Sequence, residues 1–147
     1  MENQTLVILS GYFSPLHCGH LDYLEAGAKL GDRLVVIVNN DSQQRQKKGK
    51  IILSEEDRLR IVKALSIVDD ACIAIDDDVS VKKTIAAIAL ANQDYGLIFG
   101  NGGDRNQPSD IPETDVCKEN SVEMVFGVGG GTKRDSSTRI NKELGIE

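Results

Sequence analysis

The chain has 147 residues, a net charge of −6 and a pI near 4.9, with 40% hydrophobic and 27% charged residues. One globular domain of this length buries roughly 70% of its unfolded surface, and the acidic balance argues against a nucleic-acid footprint, which needs a basic face. Three widely spaced cysteines without a Cys-x-x-Cys pair argue against a disulfide framework, and no apolar run is long enough for a membrane span or a signal-peptide core.

The first predicted strand is the β-branched run Leu6–Leu9. Behind it comes Gly11-Tyr-Phe-Ser-Pro-Leu-His-Cys-Gly-His20, and then Leu21, Leu24 and Ala28 at helical spacing, ending at Gly31. A strand, a Gly-containing turn and a helix start place His17 and His20, the only two histidines, where a phosphate would bind. Unpaired amides at a helix start attract anions, and an imidazole with a reference pKa near ~6.5 can carry charge beside a polyphosphate. Gly19 between them leaves room for a phosphate oxygen. The same residues also read as two hydrogen-bonded, half-buried histidines or, with Cys18, as a metal site, although the chain offers no further histidine for one.

Leu34–Val38 is the second predicted strand, and the segment after it, Gln43-Gln-Arg-Gln-Lys-Lys-Gly-Lys50, reads as a basic loop. Arg45, Lys47, Lys48 and Lys50 suit a triphosphate there, or form an ordinary solvated surface. Ser54-Glu-Glu-Asp resembles a capping box opening a helix through Leu59, Ile61, Val62, Leu65 and Val68. Arg58 on that helix either faces the same site or pairs with a nearby acid. Strand Ala71–Ile75, helix Val79–Ala91 and strand Leu97–Phe99 follow. Gly100-Asn-Gly-Gly-Asp-Arg105 then allows close backbone approach to a base or ribose, with Asp104 on a hydroxyl or a cation, or makes a plain turn.

A short helix near Pro112–Glu119 and a strand at Val122–Phe126 lead into Gly127-Val-Gly-Gly-Gly-Thr-Lys-Arg-Asp-Ser-Ser-Thr-Arg-Ile140. This is no P-loop, because Thr132 stands where the second glycine belongs and Arg134 follows Lys133. No dinucleotide-binding glycine fingerprint follows the first strand either. At the start of a last helix, the hydroxyls of Ser136, Ser137 and Thr138 can cap and also donate to a phosphate, with Arg139 one turn in.

The alternation predicts an α/β fold, a doubly wound, five-stranded parallel sheet of Rossmann-like type in a single domain over residues 1–147. Ligands then bind beyond the carboxyl ends of the strands, in the loops 10–20, 39–52, 76–78, 100–111 and 127–135.

His17-Cys-Gly-His20 and Ser136-Ser-Thr-Arg139 together resemble the nucleotidylyltransferase superfamily with a His-x-Gly-His motif and a terminal Ser-Thr-rich motif. Leu30-Gly-Asp-Arg-Leu-Val-Val-Ile-Val-Asn-Asn-Asp41 and Gly102-Gly-Asp104 are similar to its small cytidylyltransferase-like branch, which includes glycerol-3-phosphate cytidylyltransferases and adenylyltransferases acting on heptose 1-phosphate. The resemblance implies transfer of CMP or AMP from CTP or ATP to a small phosphorylated sugar or alcohol. The acceptor phosphate attacks the α-phosphorus in line and pyrophosphate leaves, with Mg²⁺ present and no covalent enzyme intermediate. It implies that His17 and His20 stabilise charge on the α-phosphate, that Lys47 or Lys48 clamps the triphosphate and the acceptor phosphate, and that Arg139 joins them.

By the same resemblance Tyr12, Phe13, Gly19, Gly102, Gly103, Asp104, Ser136, Ser137 and Thr138 bind the nucleotide, and Ser14, Asp41, Lys50 and Arg58 the acceptor. A cytoplasmic homodimer without nucleic-acid or membrane partners is implied as well. The chain departs from the pattern at Ser14-Pro15, where Gly-x-Phe-Asp is usual, and at Asp135, where Ile leads the last motif. It also has Gly131-Thr132 where glycerol-3-phosphate enzymes carry Arg-Thr, which leaves Lys133 and Arg134 to supply the cation or points to a sugar phosphate. A non-catalytic nucleotide-binding regulatory module on the same fold is the alternative.

Overall fold

Leu6, Val7, Ile8 and Leu9 are at most 1% exposed, as consecutive apolar residues must be when both faces of their strand are covered. They form β1 (Thr5–Gly11); the other strands are β2 (Arg33–Val38), β3 (Asp70–Ile73), β4 (Gly96–Gly102) and β5 (Val122–Val128). All pair in parallel in the order β3-β2-β1-β4-β5, with β1 in the middle. The computed structural model describes residues 4–102, 111–129 and Glu143.

Side chains alternate across the sheet and each face buries its own core. Val7, Leu9, Leu34, Val36 and Val38 pack with Leu24 of α1 (Cys18–Ala28) and Val62 of α3 (Glu55–Lys63). Leu6, Ile8, Ile37, Leu97 and Phe99 pack with Ile85 and Ala89 of α4 (Lys82–Ala91) and Cys117 of α5 (Thr114–Glu119). Helices on both faces of a parallel sheet are the doubly wound arrangement expected. Among the described residues no helix is long and apolar enough to cross a membrane.

The expected basic loop is instead a helix, α2 (Asp41–Lys48). Asn40 caps it by accepting from the Gln43 amide (2.8 Å), while Gln43 Oε1 accepts from the Asn40 amide (2.9 Å). Gly49 ends it in the left-handed region (φ 78°), where a side chain would be strained, with its N–H on Arg45 O (2.8 Å). Arg45, Lys47 and Lys48 therefore sit in a last turn, where the helix dipole favours cations.

Other boundaries moved for similar reasons. Ser54 does cap α3, accepting from Asp57 N–H (3.2 Å), but the helix ends at Lys63 and only turns carry the chain on to Val68. β3 stops at Ile73 because the Ile75 amide leaves the ladder for Thr84 Oγ1 (3.0 Å). α4 starts at Lys82 rather than Val79, its first amides at Lys83 (2.7 Å) and Thr84 (3.1 Å) bound by the Asp76 carboxylate. The helix expected from about residue 136 lies, apart from Glu143, outside the described residues.

β1 pairs with β2 as far as Gly11↔Val38 but with β4 only to Ile8↔Phe99. Past that point β1 and β4 separate. This is the switch point of the sheet, where the chain crosses from one side of β1 to the other.

Candidate active site

At the end of β1 the chain turns through Phe13, which is buried and has a φ of 52°, unusual for a bulky residue. Gly11 makes the turn possible, since a Cβ there would lie 2.8 Å from Phe13 Cζ. The Phe13 ring meets His20 edge-on, with centroids 5.0 Å apart. His17 is the N-cap of α1: its Nδ1 accepts from the Gly19 amide (3.1 Å), and His20 Nδ1 accepts from the His17 amide (3.3 Å). The two rings stack at 3.9 Å with 23° between their planes. A nitrogen that accepts an amide hydrogen carries no proton, so the network assigns each ring's hydrogen to Nε2. Each histidine thus serves the start of the helix through Nδ1 and carries its hydrogen on Nε2. Cys18 between them is exposed.

The cations come from α2. Lys47 is exposed and holds its ammonium 5.0 Å from the Tyr12 ring centroid, a cation–π contact that brings α2 against the histidine loop. Lys48 is half-buried, and Lys50 is exposed just past Gly49. Two buried side chains join the same segments. Ser14 Oγ donates to Gln44 Oε1 (2.6 Å), and Gln44 Nε2 donates to Leu53 O (3.1 Å). Arg58 donates to Leu53 O (2.9 Å), Tyr12 O (2.9 Å), Asn39 O (2.5 Å) and Asp41 Oδ1 (3.0 Å).

Three of the residues expected at the acceptor are tied into the fold, and for Arg58 the pairing with a nearby acid is the reading the geometry matches. Arg58 and Ser14 are both 0% exposed, and their side chains are engaged by these bonds. Asp41, half-buried, is the acid that Arg58 pairs with, and its amide donates to Glu55 Oε1 (2.8 Å). Their work is to hold Tyr12, Asn39 and α2 in register. The sequence concealed this because an arginine on an exposed-looking helix gives no sign of which backbone oxygens surround it.

Sequence reasoning also passed over Gln43, Asn39, Asn40 and Tyr23. Buried Gln43 donates to Asp78 O (2.7 Å) and Ser80 O (2.8 Å), and Asn40 Nδ2 donates to Ala74 O (2.9 Å) and Asp76 O (3.0 Å). The loop after β3 is thereby fastened to the start of α2. The pattern Asn40-x-x-Gln43 was the available signal, because it is a capping box. Tyr23 of α1 donates its hydroxyl toward Ser10 O (3.3 Å) and Gly100 O (3.2 Å), bridging β1 and β4 where they part. Gly102 ends β4 beside it: a Cβ there would be 3.4 Å from the Tyr23 ring.

The structure therefore brings Tyr12, Phe13, Ser14, His17, Gly19 and His20 together with Asp41, Lys47, Lys48 and Arg58 at the carboxyl ends of β1 and β2. Gly103, Asp104, Ser136, Ser137, Thr138 and Arg139 lie outside the described residues. Among the described residues no group of three His, Cys, Asp or Glu side chains is placed to hold a metal ion.

The profile of the cytidylyltransferase-like family matches residues 8–141. The bifunctional protein HldE of Streptomyces coelicolor is 34% identical over 120 residues, which are 80% of this chain and 24% of that protein. The FAD synthase of Thermoplasma acidophilum is 42% identical over 83 residues, 56% of each chain. The chain thus spans about a quarter to about half the length of these curated relatives. Among solved structures, the lipopolysaccharide core biosynthesis protein from Thermoplasma volcanium superposes with a TM-score of 0.67 at 29% identity, covering 90% of this chain and 100% of that one. Its parallel sheet, its paired histidines at the start of α1 and a family match across nearly its whole length agree: the chain belongs to the cytidylyltransferase-like family.

Proposed function

We propose that the protein is a nucleotidylyltransferase that transfers a nucleoside monophosphate from CTP or ATP to a small phosphorylated sugar or alcohol and releases pyrophosphate. The observation that carries this reading is the joining of the stacked histidines to the lysine-bearing α2 through Tyr12, Ser14 and Gln44. FAD synthases among the relatives make a product containing adenine, which favours ATP over CTP.

In this reading an acceptor phosphate oxygen attacks the α-phosphorus, a new P–O bond forms, and the bond to the β-phosphate breaks with its electron pair on pyrophosphate. A phosphate is already a nucleophile, so the residues position and neutralise rather than activate. The Nε2–H donors of His17 and His20 meet charge that builds on the α-phosphate. Lys47 and Lys48 hold the flanking phosphates, and their positions are maintained by the buried bonds behind them. In this reading Mg²⁺ arrives with the triphosphate, since Mg²⁺ is commonly held by phosphates and water. When bound it would neutralise phosphate charge.

The test is pyrophosphate release with Mg²⁺, crossing CTP, ATP, GTP and UTP against glycerol 3-phosphate, hexose and heptose 1-phosphates, phosphocholine, phosphoethanolamine and nicotinamide mononucleotide. One productive pair is the expected result. Absence of both turnover and nucleotide binding by calorimetry would overturn the reading.

A further inference from the structure

Asn101 is a polar residue where the strand has no use for one. It lies in β4 two residues beyond Phe99 and is 4% exposed. The buried amides of Gln43 and Gln44 each find oxygen acceptors, but the side-chain nitrogen of Asn101 reaches none among the described residues. A buried donor without an acceptor is a net loss to the folded state, and an apolar residue would serve the strand better.

Its position suggests what the donor is for. β1 and β4 cease to pair after Ile8↔Phe99, so Asn101 stands past the point where the central crevice opens. The pairing of β4 with β5 slips at the same place, from Gly100↔Val125 to Gly102↔Val128. Such bulges bend a strand and re-aim a side chain, and they are frequent beside active sites. The histidine loop follows β1, and the cations of α2 follow β2 on one side of it. Asn101 lies on the other side, flanked by Gly100 and Gly102.

We infer that the Asn101 side-chain amide is the donor that reads the nucleoside part of the triphosphate, through a ribose or base oxygen or a ring nitrogen, and so sets nucleotide affinity. This rests on the nucleotidyl-transfer reading above. The phosphates then lie over His17 and His20 toward the α2 side, and the nucleoside extends across the switch point toward β4.

The experiment uses the full chain with Asn101→Leu and Asn101→Asp. Leu removes the stranded amide at similar volume; Asp keeps the shape but puts an acceptor where the donor was. Binding of CTP and ATP with Mg²⁺ is measured by calorimetry, acceptor KM by pyrophosphate release, and stability by urea unfolding without nucleotide. Both variants are expected to weaken binding of the preferred triphosphate by about 10- to 100-fold. Acceptor KM should stay within about twofold, and Asn101→Leu should unfold at the same urea concentration or a higher one, as when a functional residue is traded for stability. Unchanged triphosphate affinity in both variants overturns the inference. A lowered urea midpoint in both overturns it too, because it assigns Asn101 to the fold. If the parent protein binds neither CTP nor ATP, it is the nucleotidyl-transfer reading that falls, and this inference with it.

Discussion

Replacing Arg58 with Met asks whether a fully buried cation serves the fold or the substrate. Met keeps helix propensity and much of the apolar stem but deletes all four hydrogen bonds, to Leu53 O, Tyr12 O, Asn39 O and Asp41 Oδ1. Removing one partner of a buried ion pair costs about 3–5 kcal/mol. The Asp41 side chain is 25% exposed, so water relieves part of its share and places the pair at the lower end of that range. The three carbonyls left without this donor add about 1 kcal/mol each at most, and new apolar packing by Met returns about 1–2 kcal/mol. The net expectation is a loss of about 3–4 kcal/mol, or a Tm lower by roughly 10 °C for a chain of this length.

Urea unfolding followed by circular dichroism measures that loss. Arg58→Lys should recover at most half of it, because an ammonium cannot reproduce the planar fork. A double-mutant cycle with Asp41→Asn should give a coupling above about 1 kcal/mol. An Arg58→Met protein within about 1 kcal/mol of the parent in stability, with a raised KM for triphosphate or acceptor, would refute the argument and return Arg58 to the substrate.

The two duties of His17 can be separated. His17→Ala should lower kcat by about 10²–10³ and destabilise α1 by about 1 kcal/mol, whereas His17→Asn restores a capping side chain and should restore stability alone; pyrophosphate release at wild-type rate in either variant would sink the catalytic role. Thiol titration should show Cys18 reacting at once in the native protein and Cys117 only on unfolding, because burial, followed by the nearby Glu113 charge, pushes the Cys117 thiol up to about 12. Its folded value lies above its ordinary value of 9.0, so its contribution to stability is complete below pH 9 and is lost as pH climbs toward 12; an alkaline titration of the urea midpoint reads the sign, and a rise above pH 9 would contradict it.

The sheet was legible because β1 and β2 are runs of buried apolar residues that no other element of that length explains, and the histidines were legible because their spacing is specific. Residues 43–50 misled because their composition is that of a solvated loop. Eight polar residues in a row have no apolar periodicity, and what makes them a helix is a cap at each end and two glutamines turned inward. Arg58, Ser14 and Gln44 were opaque for a related reason. Their partners are backbone oxygens, the Asp41 carboxylate and, for Ser14, a glutamine 30 residues away, which only the closed fold brings near. Asp76 likewise binds the first amides of α4 from outside the usual capping position, so inspection of the helix start does not find it.

Winding these residues into α2 also fixes the angular phase of its cations. Successive helical positions are rotated by about 100°, so Lys47 and Lys48 leave the axis in directions more than a right angle apart. Gln43 and Gln44, locked into the interior, prevent the helix from rolling to bring both lysines round to one side. Two such stems straddle a ligand more readily than they converge on a single anion. A ligand with two separate negative centres matches that splayed pair, and exchanging the order of charge along the helix, for instance by moving one lysine a position, would change which centre is held without altering the net charge.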